Sequence, residues 1–428
     1  MTVIPRLGED GCGCAAAAQS GLVSLDDALD AIDRLFGKVG PIVKRRPEEA
    51  LSMILALDVR AKGAVPPFDS SAMDGYAVDS GALAGEGPWR LPLAGRVAAG
   101  EEAPALPPGH VLQVLTGAPV PKGATAIVPQ EDVRVRSGKV ELARRPTPGE
   151  NIRLHGSDFH AGQTLLNAGD RLGIRHLAVC AAAGVAQVAL CRPLRVALVV
   201  TGDEVIATSG ARVPGAAAGI RDVNGPTIAA AIRAAGGSVT GPLHVPDRRE
   251  DLGRVLEGLV SGHDLIVTTG GVSVGAEDHV VPTWRDLGGA PLVHGVAIKP
   301  GKPVAFGLAR GRAWIGLPGN PLAALACWML FGSRILRRLS GATRAPLRRH
   351  TVLFHDVRHR PGRCELRPAQ LTGFDGTGRE YVKTDPATWS HRVGNLPQAD
   401  GLILIPADVD RLARGNLVEF LPFSEIGI

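Results

Sequence analysis

The stretch L-I-V-T-T-G-G-V-S-V-G-A-E-D, residues 265–278, decides how the rest of the chain is read. Leu265, Ile266 and Val267 form a short apolar run of the kind that makes a buried strand. Gly270, Gly271 and Gly275 then mark a turn in which backbone amides can approach an anion closely. Ser273 adds a hydroxyl, and Glu277 and Asp278 place carboxylates at the lip of the same turn. Amides for a phosphate beside carboxylates for a hard cation suit Mg²⁺, which takes oxygen ligands and commonly shares them with substrate phosphates. A plain strand-to-helix connection would use the same glycines, so the motif needs support from elsewhere in the chain.

That support lies on both sides. Residues 194–200, 239–245, 304–308 and 313–317 also read as strands, and 228–235 and 252–260 as helices between them. Strands alternating with helices predict a parallel sheet covered on both faces, with ligands held outside the carboxyl ends of its strands. T-G-D-E (201–204) repeats the logic of strand, glycine turn and paired acids, although two acids there could also cap a helix. K-P-G-K-P (299–303) sets Lys299 and Lys302 in a loop stiffened by Pro300 and Pro303, presenting positive charge to an oxyanion. In G-L-P-G-N-P (316–321), Asn320 suits a helix N-cap and Pro321 the first helical position, after Pro318 and Gly319.

Further out the texture changes. At 428 residues the chain is long for one core, and about three domains is the expectation. Apolar content of 45% with 21% charged residues describes a water-soluble globular protein, and a net charge of +5 does not argue for nucleic acid. No apolar run reaches the ~20 residues of a membrane span. Six scattered cysteines form neither a disulfide framework nor a zinc pattern, so reduced thiols and a cytoplasmic location are expected. The Gly/Ala-rich residues 1–21, with Cys12 and Cys14, read as disordered.

The expected division is a helical part made of 22–62 and 149–192, a β-rich part over 63–148, an α/β part over 193–342 and a C-terminal β part over 343–428. Ser24 and Asp27 form a capping-box pattern ahead of a helix. A second helix is expected near 47–58, and the Ala-rich segment 175–191 is expected to pack near the first helix. Arg337 and Arg338 are expected at a helix C-terminus facing solvent. P-P-F-D-S-S-A-M-D-G-Y-A-V (66–78) supplies Asp69 and Asp74 as candidates for acid, base or metal work.

Taken together, F-D-S-S-A-M-D-G-Y-A (68–77), L-T-G-A-P-V-P (115–121), N-I-R (151–153), T-G-D-E, T-G-G-V-S-V-G-x-x-D (269–278), K-P-G-K-P and G-L-P-G-N-P closely resemble the molybdopterin molybdenumtransferase family. That family comprises the bacterial MoeA proteins and the E domain of gephyrin, and the resemblance runs in consistent order over about residues 22–428. It implies a multidomain α/β plus β fold. Its parts would be a molybdopterin-binding parallel-sheet α/β domain, a β-rich domain, a discontinuous helical domain and a C-terminal β-barrel-like domain. The protein would be an elongated homodimer in which Asp74 of one subunit faces Glu204 and Asp278 of the other.

The implied reaction takes adenylylated molybdopterin, molybdate and Mg²⁺, releases AMP and inserts molybdenum between the dithiolene sulfurs. Asp74, Glu204, Asp247 and Asp278 would be catalytic. Glu204 and Asp278 would also hold the metal, with cation-holding and water-orienting roles left unseparated among Glu204, Asp247 and Asp278. Thr116, Gly270, Gly271, Ser273, Lys299, Lys302, Pro303, Pro318, Asn320 and Pro321 would hold substrate, with Arg367 and Ser390 at the molybdate. Implied partners are a second copy, the molybdopterin adenylyltransferase and molybdoenzyme apo-proteins, with neither nucleic acid nor membrane.

Two positions depart from the family: Gly295 stands where lysine is common and Ala323 where serine is common. Restoring those side chains is expected to tighten oxyanion binding. Competing readings are a non-catalytic molybdopterin-binding or scaffold paralogue, and the adenylyltransferase step. The acid set Asp74, Glu204, Asp247 and Asp278 argues against the first and the extra β-rich parts against the second.

Overall fold

The computed structural model describes residues 21–207, 219–273, 278–343, 349–385 and 392–426. Strand Leu265–Thr269 is buried at all five positions because it lies between two parallel neighbours, Arg195–Thr201 and Arg312–Leu317. Ser238–Val245 extends the sheet beyond Arg195–Thr201, and Ala305–Ala309 and Ala290–His294 complete it on the other side. Side chains alternate between the two faces, as a two-residue period demands. Val196, Leu198, Leu265 and Val267 pack with helices Asn224–Ala234 and Pro321–Cys327, while Ala197, Val199 and Ile266 pack with Arg249–Val260 and Val280–Asp286.

The sheet is mixed rather than wholly parallel, because Ala305–Ala309 runs against both its neighbours. The cause is local. Arg310 and Gly311, at φ 49° and 74°, form a two-residue loop between Ala309 and Arg312. Positive φ at both central residues is the tight hairpin geometry that matches strand twist, and it obliges the two strands to run in opposite directions.

Helix Leu25–Leu35 starts as expected: the Ser24 hydroxyl accepts from Asp27 N–H at 3.0 Å. Its packing partner differs from the expectation. Leu25, Ala28 and Ile32 enter the core of the mixed sheet rather than the 175–191 segment, and Asp33 pairs with Arg334 Nε at 3.0 Å. Arg338 donates to the carbonyls of Asp33 (2.9 Å) and Phe36 (3.2 Å), so it closes the end of that helix instead of facing only water.

The expected helix over 47–58 is also absent. Only Pro47–Glu49 forms a 3-10 turn, and Ser52 adopts a left-handed φ of 67°. Ile54 and Leu55 then pair with Arg171 and Leu190 in isolated bridges, so tertiary pairing overrides a helix-compatible composition. Around them Ala50, Leu55, Leu166, Leu172, Cys180 and Leu190 make a small core, in which helix Ile174–Ala182 contributes Cys180.

A second six-stranded sheet contains Gly75–Val78, flanked by Ala126–Pro129 and Val111–Val114. A third closes on itself: Cys364–Phe374, Glu380–Thr384, Arg349–Leu353, Leu417–Pro422 and Gly401–Ile405 pair in a ring, a five-stranded barrel. Ile298–Lys299 joins this barrel in parallel with Cys364–Glu365, tying the K-P-G-K-P loop to it. The four described cysteines, Cys180, Cys191, Cys327 and Cys364, are buried.

Candidate functional site

The carboxyl ends of the parallel strands carry the first group. Thr201 ends its strand and its hydroxyl donates to Asp247 Oδ1, while Asp247 N–H donates to Asp203 Oδ1 at 3.0 Å. Asp247 follows Ser238–Val245, so adjacent strands bring T-G-D-E and Asp247 together. Burial pushes the Asp247 carboxyl above the usual carboxylate range. The Thr201 hydrogen bond opposes that, and the nearby charges of Glu204 and Asp203 reinforce it. Glu204 is exposed and lies back over its own turn: a Cβ at Gly202 would sit 3.0 Å from its Oε2.

The second group is the turn after Leu265–Thr269. Gly270 and Gly271 have φ of 88° and 60°, and a Cβ on Gly270 would lie 2.5 Å from Thr201 O. Glycine is required there by conformation and by space. The sequence reading assigned the Gly270 amide to an anion, but it donates to Leu317 O at 3.1 Å. Among the described residues, no acceptor meets the amides of Gly271, Val272 and Ser273. The buried Thr269 hydroxyl beside them also lacks a partner among the described residues. Asp278 lies two residues before helix Val280–Asp286, whose Val280 N–H donates to Gly271 O at 3.1 Å. Gly275 and Glu277 lie outside the described residues.

The Pro318–Pro321 turn abuts this one: a Cβ on Gly319 would come within 3.6 Å of Gly270 Cα. Asn320 holds the N-cap position of Pro321–Cys327 as expected, with Pro321 at the first helical position, although its side chain makes no capping hydrogen bond. Instead Asn224 Nδ2 donates to Gly319 O at 2.7 Å, holding the turn from helix Asn224–Ala234. Asp222 in turn accepts from Gly225 N–H at 2.8 Å and lies 2.9 Å from His244 Nε2. His294 Nε2 lies 3.1 Å from Val272 O and steadies the glycine turn. Sequence reasoning missed Asn224, Asp222, His244 and His294. The D-V-N-G run at 222–225 was the available signal for the first two, as a helix-start pattern.

Asp74 and Thr116 form a separate pair. The amide and hydroxyl of Thr116 each donate to Asp74 Oδ1 at 2.7 Å. Those two hydrogen bonds, the backbone one first, hold the Asp74 carboxyl below the usual range, which favours an anionic acceptor over a proton donor. Asp69, the other candidate of that motif, accepts from His155 N–H at 2.7 Å and ties two loops. Among the described residues, no hydrogen bond or ion pair joins Asp74 or Thr116 to Thr201, Asp203, Glu204 or Asp247.

Lys299 and Arg367 make a third group, both meeting Glu365. Arg367 is buried, with its guanidinium on Glu365 and on Arg358 O. Lys302 is exposed and Pro303 half-buried, and Lys302 forms no ion pair among the described residues. Ser390 lies outside the described residues.

Gly295 is buried with φ 84°, its N–H donating to Val304 O and its C=O accepting from Val23 N–H, both at 3.0 Å. A Cβ there would meet Leu22 Cδ2 at 3.0 Å. The expectation that lysine at 295 tightens oxyanion binding is therefore corrected. Gly295→Lys is expected to lower stability by about 1–2 kcal/mol, the cost of a left-handed non-glycine residue, with no gain in oxyanion affinity. Thermal melting alongside a molybdate titration checks both parts.

Known proteins are similar to this chain in sequence and architecture. The family model described as the MoeA N-terminal region (domain I and II) matches residues 23–184, a probable molybdopterin binding domain matches 197–338, and the MoeA C-terminal region (domain IV) matches 351–423. Molybdopterin molybdenumtransferase 2 of Mycobacterium tuberculosis is 35% identical over 382 residues, covering 87% of this chain and 92% of that protein. The molybdopterin molybdenumtransferase of Synechococcus elongatus is 34% identical over 402 residues, covering 91% and 97%. A crystal structure of the molybdopterin biosynthesis MoeA protein from Pyrococcus horikoshii superposes with a TM-score of 0.77 at 31% identity, covering 94% of this chain and 99% of that one.

Proposed function

Because the chain belongs to the molybdopterin molybdenumtransferase family of molybdenum cofactor biosynthesis, we propose that it takes adenylylated molybdopterin and molybdate, releases AMP with Mg²⁺ present, and inserts molybdenum between the dithiolene sulfurs. One observation carries this reading: the amides of Gly271, Val272 and Ser273, with no acceptor among the described residues, lie beside the strand ending at Thr201, which leads to Asp203 and Glu204 and whose hydroxyl holds Asp247 from the next strand. The amides receive the pyrophosphate oxygens, and fixed donors of this kind stabilise charge that grows during cleavage. Asp247, oriented by Thr201 and with a raised proton affinity, positions the attacking water and accepts its proton.

The donor set fits Mg²⁺, since Asp203, Glu204 and Asp247 offer only oxygen atoms at one lip. Among the described residues no group of three or more His, Cys, Asp or Glu side chains is arranged to hold a metal ion. Glu204 and Asp278 would hold Mg²⁺, and it would offset charge on the pyrophosphate. Lys299, Lys302, Arg367 and the Pro318–Pro321 turn hold the anionic parts of the substrates. Asp74 and Thr116, just beyond the ends of two strands of a different sheet, reach the site from a second copy in a homodimer. Among the described residues no helix is long and apolar enough to cross a membrane.

The test supplies purified protein with adenylylated molybdopterin, Mg²⁺ and molybdate. Molybdate-dependent AMP release is the expected result. Tight binding with no AMP released under any molybdate concentration would replace this reading with the binding-module one.

A further inference from the structure

The strand Cys364–Phe374 places an ion cluster where the barrel meets the mixed sheet. Alternation puts Cys364 and Leu366 into the core shared with the mixed sheet, and Glu365 and Arg367 on the other side with Ala369, which packs inside the barrel. Glu365 is 1% exposed. Its Oε1 accepts from Arg367 Nε at 2.9 Å and its Oε2 from Arg367 Nη2 at 3.1 Å. The same carboxylate lies 3.5 Å from Lys299 Nζ, and His359 Nδ1 stands 3.6 Å from Oε2. Backbone pairing sets this arrangement, because Lys299 is registered opposite Glu365 and Cys364 N–H donates to Ala297 O at 2.9 Å.

We propose that Glu365 is a positioning residue, a single buried carboxylate that fixes the spacing between Lys299 of the K-P-G-K-P loop and Arg367 of the barrel. The inference rests on the reading above, in which those two cations meet anionic substrate. Arg367 approaches Glu365 through two nitrogens, and such paired contacts set orientation as well as distance. Lys299 is a point charge on a flexible stem, its side chain 45% exposed, and needs an external anchor to hold one position. Two cations share one carboxylate, so Glu365 by itself does not cancel their combined attraction for an oxyanion. Moving either cation moves the other through Glu365, which makes their contributions to binding interdependent.

The test uses the full chain and reads molybdate KM, turnover, affinity for adenylylated molybdopterin and Tm. Glu365→Gln is expected to raise molybdate KM at least tenfold. Lys299→Ala and Arg367→Ala, combined, are expected to raise KM little beyond the larger single effect. In the Glu365→Gln background the two effects should multiply. A burial role alone would lower Tm and leave that interdependence unchanged. If the two alanine effects already multiply with Glu365 present, or if Glu365→Gln leaves KM within twofold, the positioning role is wrong while the substrate reading stands. If neither alanine variant changes KM or affinity for either substrate, the underlying reading of these cations falls and takes the inference with it. Should Glu365→Gln not fold, Glu365→Asp decides. It keeps the charge and retracts it by one methylene, so a KM rise of at least threefold at unchanged Tm supports the role, and an unchanged KM overturns it.

Discussion

Asp247→Asn is expected to cut turnover by about 10²–10⁴-fold, the usual worth of a positioned proton acceptor. Binding of adenylylated molybdopterin should survive, because asparagine keeps an oxygen for the Thr201 hydroxyl and keeps the amide that meets Asp203. Stability should hold or rise. Burial, with Glu204 and Asp203 adding to it, lifts the carboxyl's proton affinity in the folded state above its unfolded value. The folded protein therefore binds that proton more tightly, and an ionised Asp247 opposes folding at neutral pH. This penalty disappears as pH falls through the raised value. The Tm advantage of the asparagine variant at pH 7 should accordingly shrink on acidification, while the acid limb of wild-type activity sits above the ordinary aspartate range. Normal turnover, or a Tm several degrees lower at pH 7, would remove Asp247 from the role assigned to it.

Gly270→Ala should be the most damaging small substitution near the site. The new Cβ would lie 2.5 Å from Thr201 O and 3.3 Å from Thr201 Cγ2, at φ 88°. A backbone oxygen at the end of a buried strand cannot swing aside, so the turn itself must shift. Left-handed strain and that shift together are worth about 3 kcal/mol or more. For a unit of this size the corresponding melting transition falls by about 6–12 °C. Nucleotide affinity should fall too, because the amides of Gly271 to Ser273 move with the turn. Gly258→Ala is the control. Gly258 is exposed on helix Arg249–Val260 with nothing within 4 Å of its would-be Cβ, and alanine there should be neutral or stabilising by up to about 1 kcal/mol. Equal Tm changes for the two variants would contradict the argument.

These expectations also show where the sequence was readable. Strand Leu265–Thr269 contains the apolar run Leu265–Val267 that marked it in the sequence, because a β-branched run followed closely by Gly-Gly leaves few alternatives. The capping pattern at Ser24 was equally local and equally visible. The helix expected at 47–58 failed because Ser52 turns left-handed to let Ile54 and Leu55 reach partners more than a hundred residues away. The reversed strand Ala305–Ala309 was hidden for a different reason: Arg310-Gly311 is short and lacks the usual asparagine or aspartate of such a loop. In the candidate site, acids after strands were legible, since their motifs are contiguous. Asn224 on Gly319 O and Glu365 between Lys299 and Arg367 were not, because each joins elements distant in sequence and carries no spacing of its own.

In synthesis, Arg334 follows Asp33 of helix Leu25–Leu35, which it grips, by 301 residues. At translation rates of about 5–20 residues per second, roughly 15–60 s separate the two. During that interval the stripe of Leu25, Ala28 and Ile32 has no finished surface to cover it. The nascent chain therefore carries an uncovered apolar stripe until helix Ser333–Ser340, which bears Arg334, emerges to clasp it.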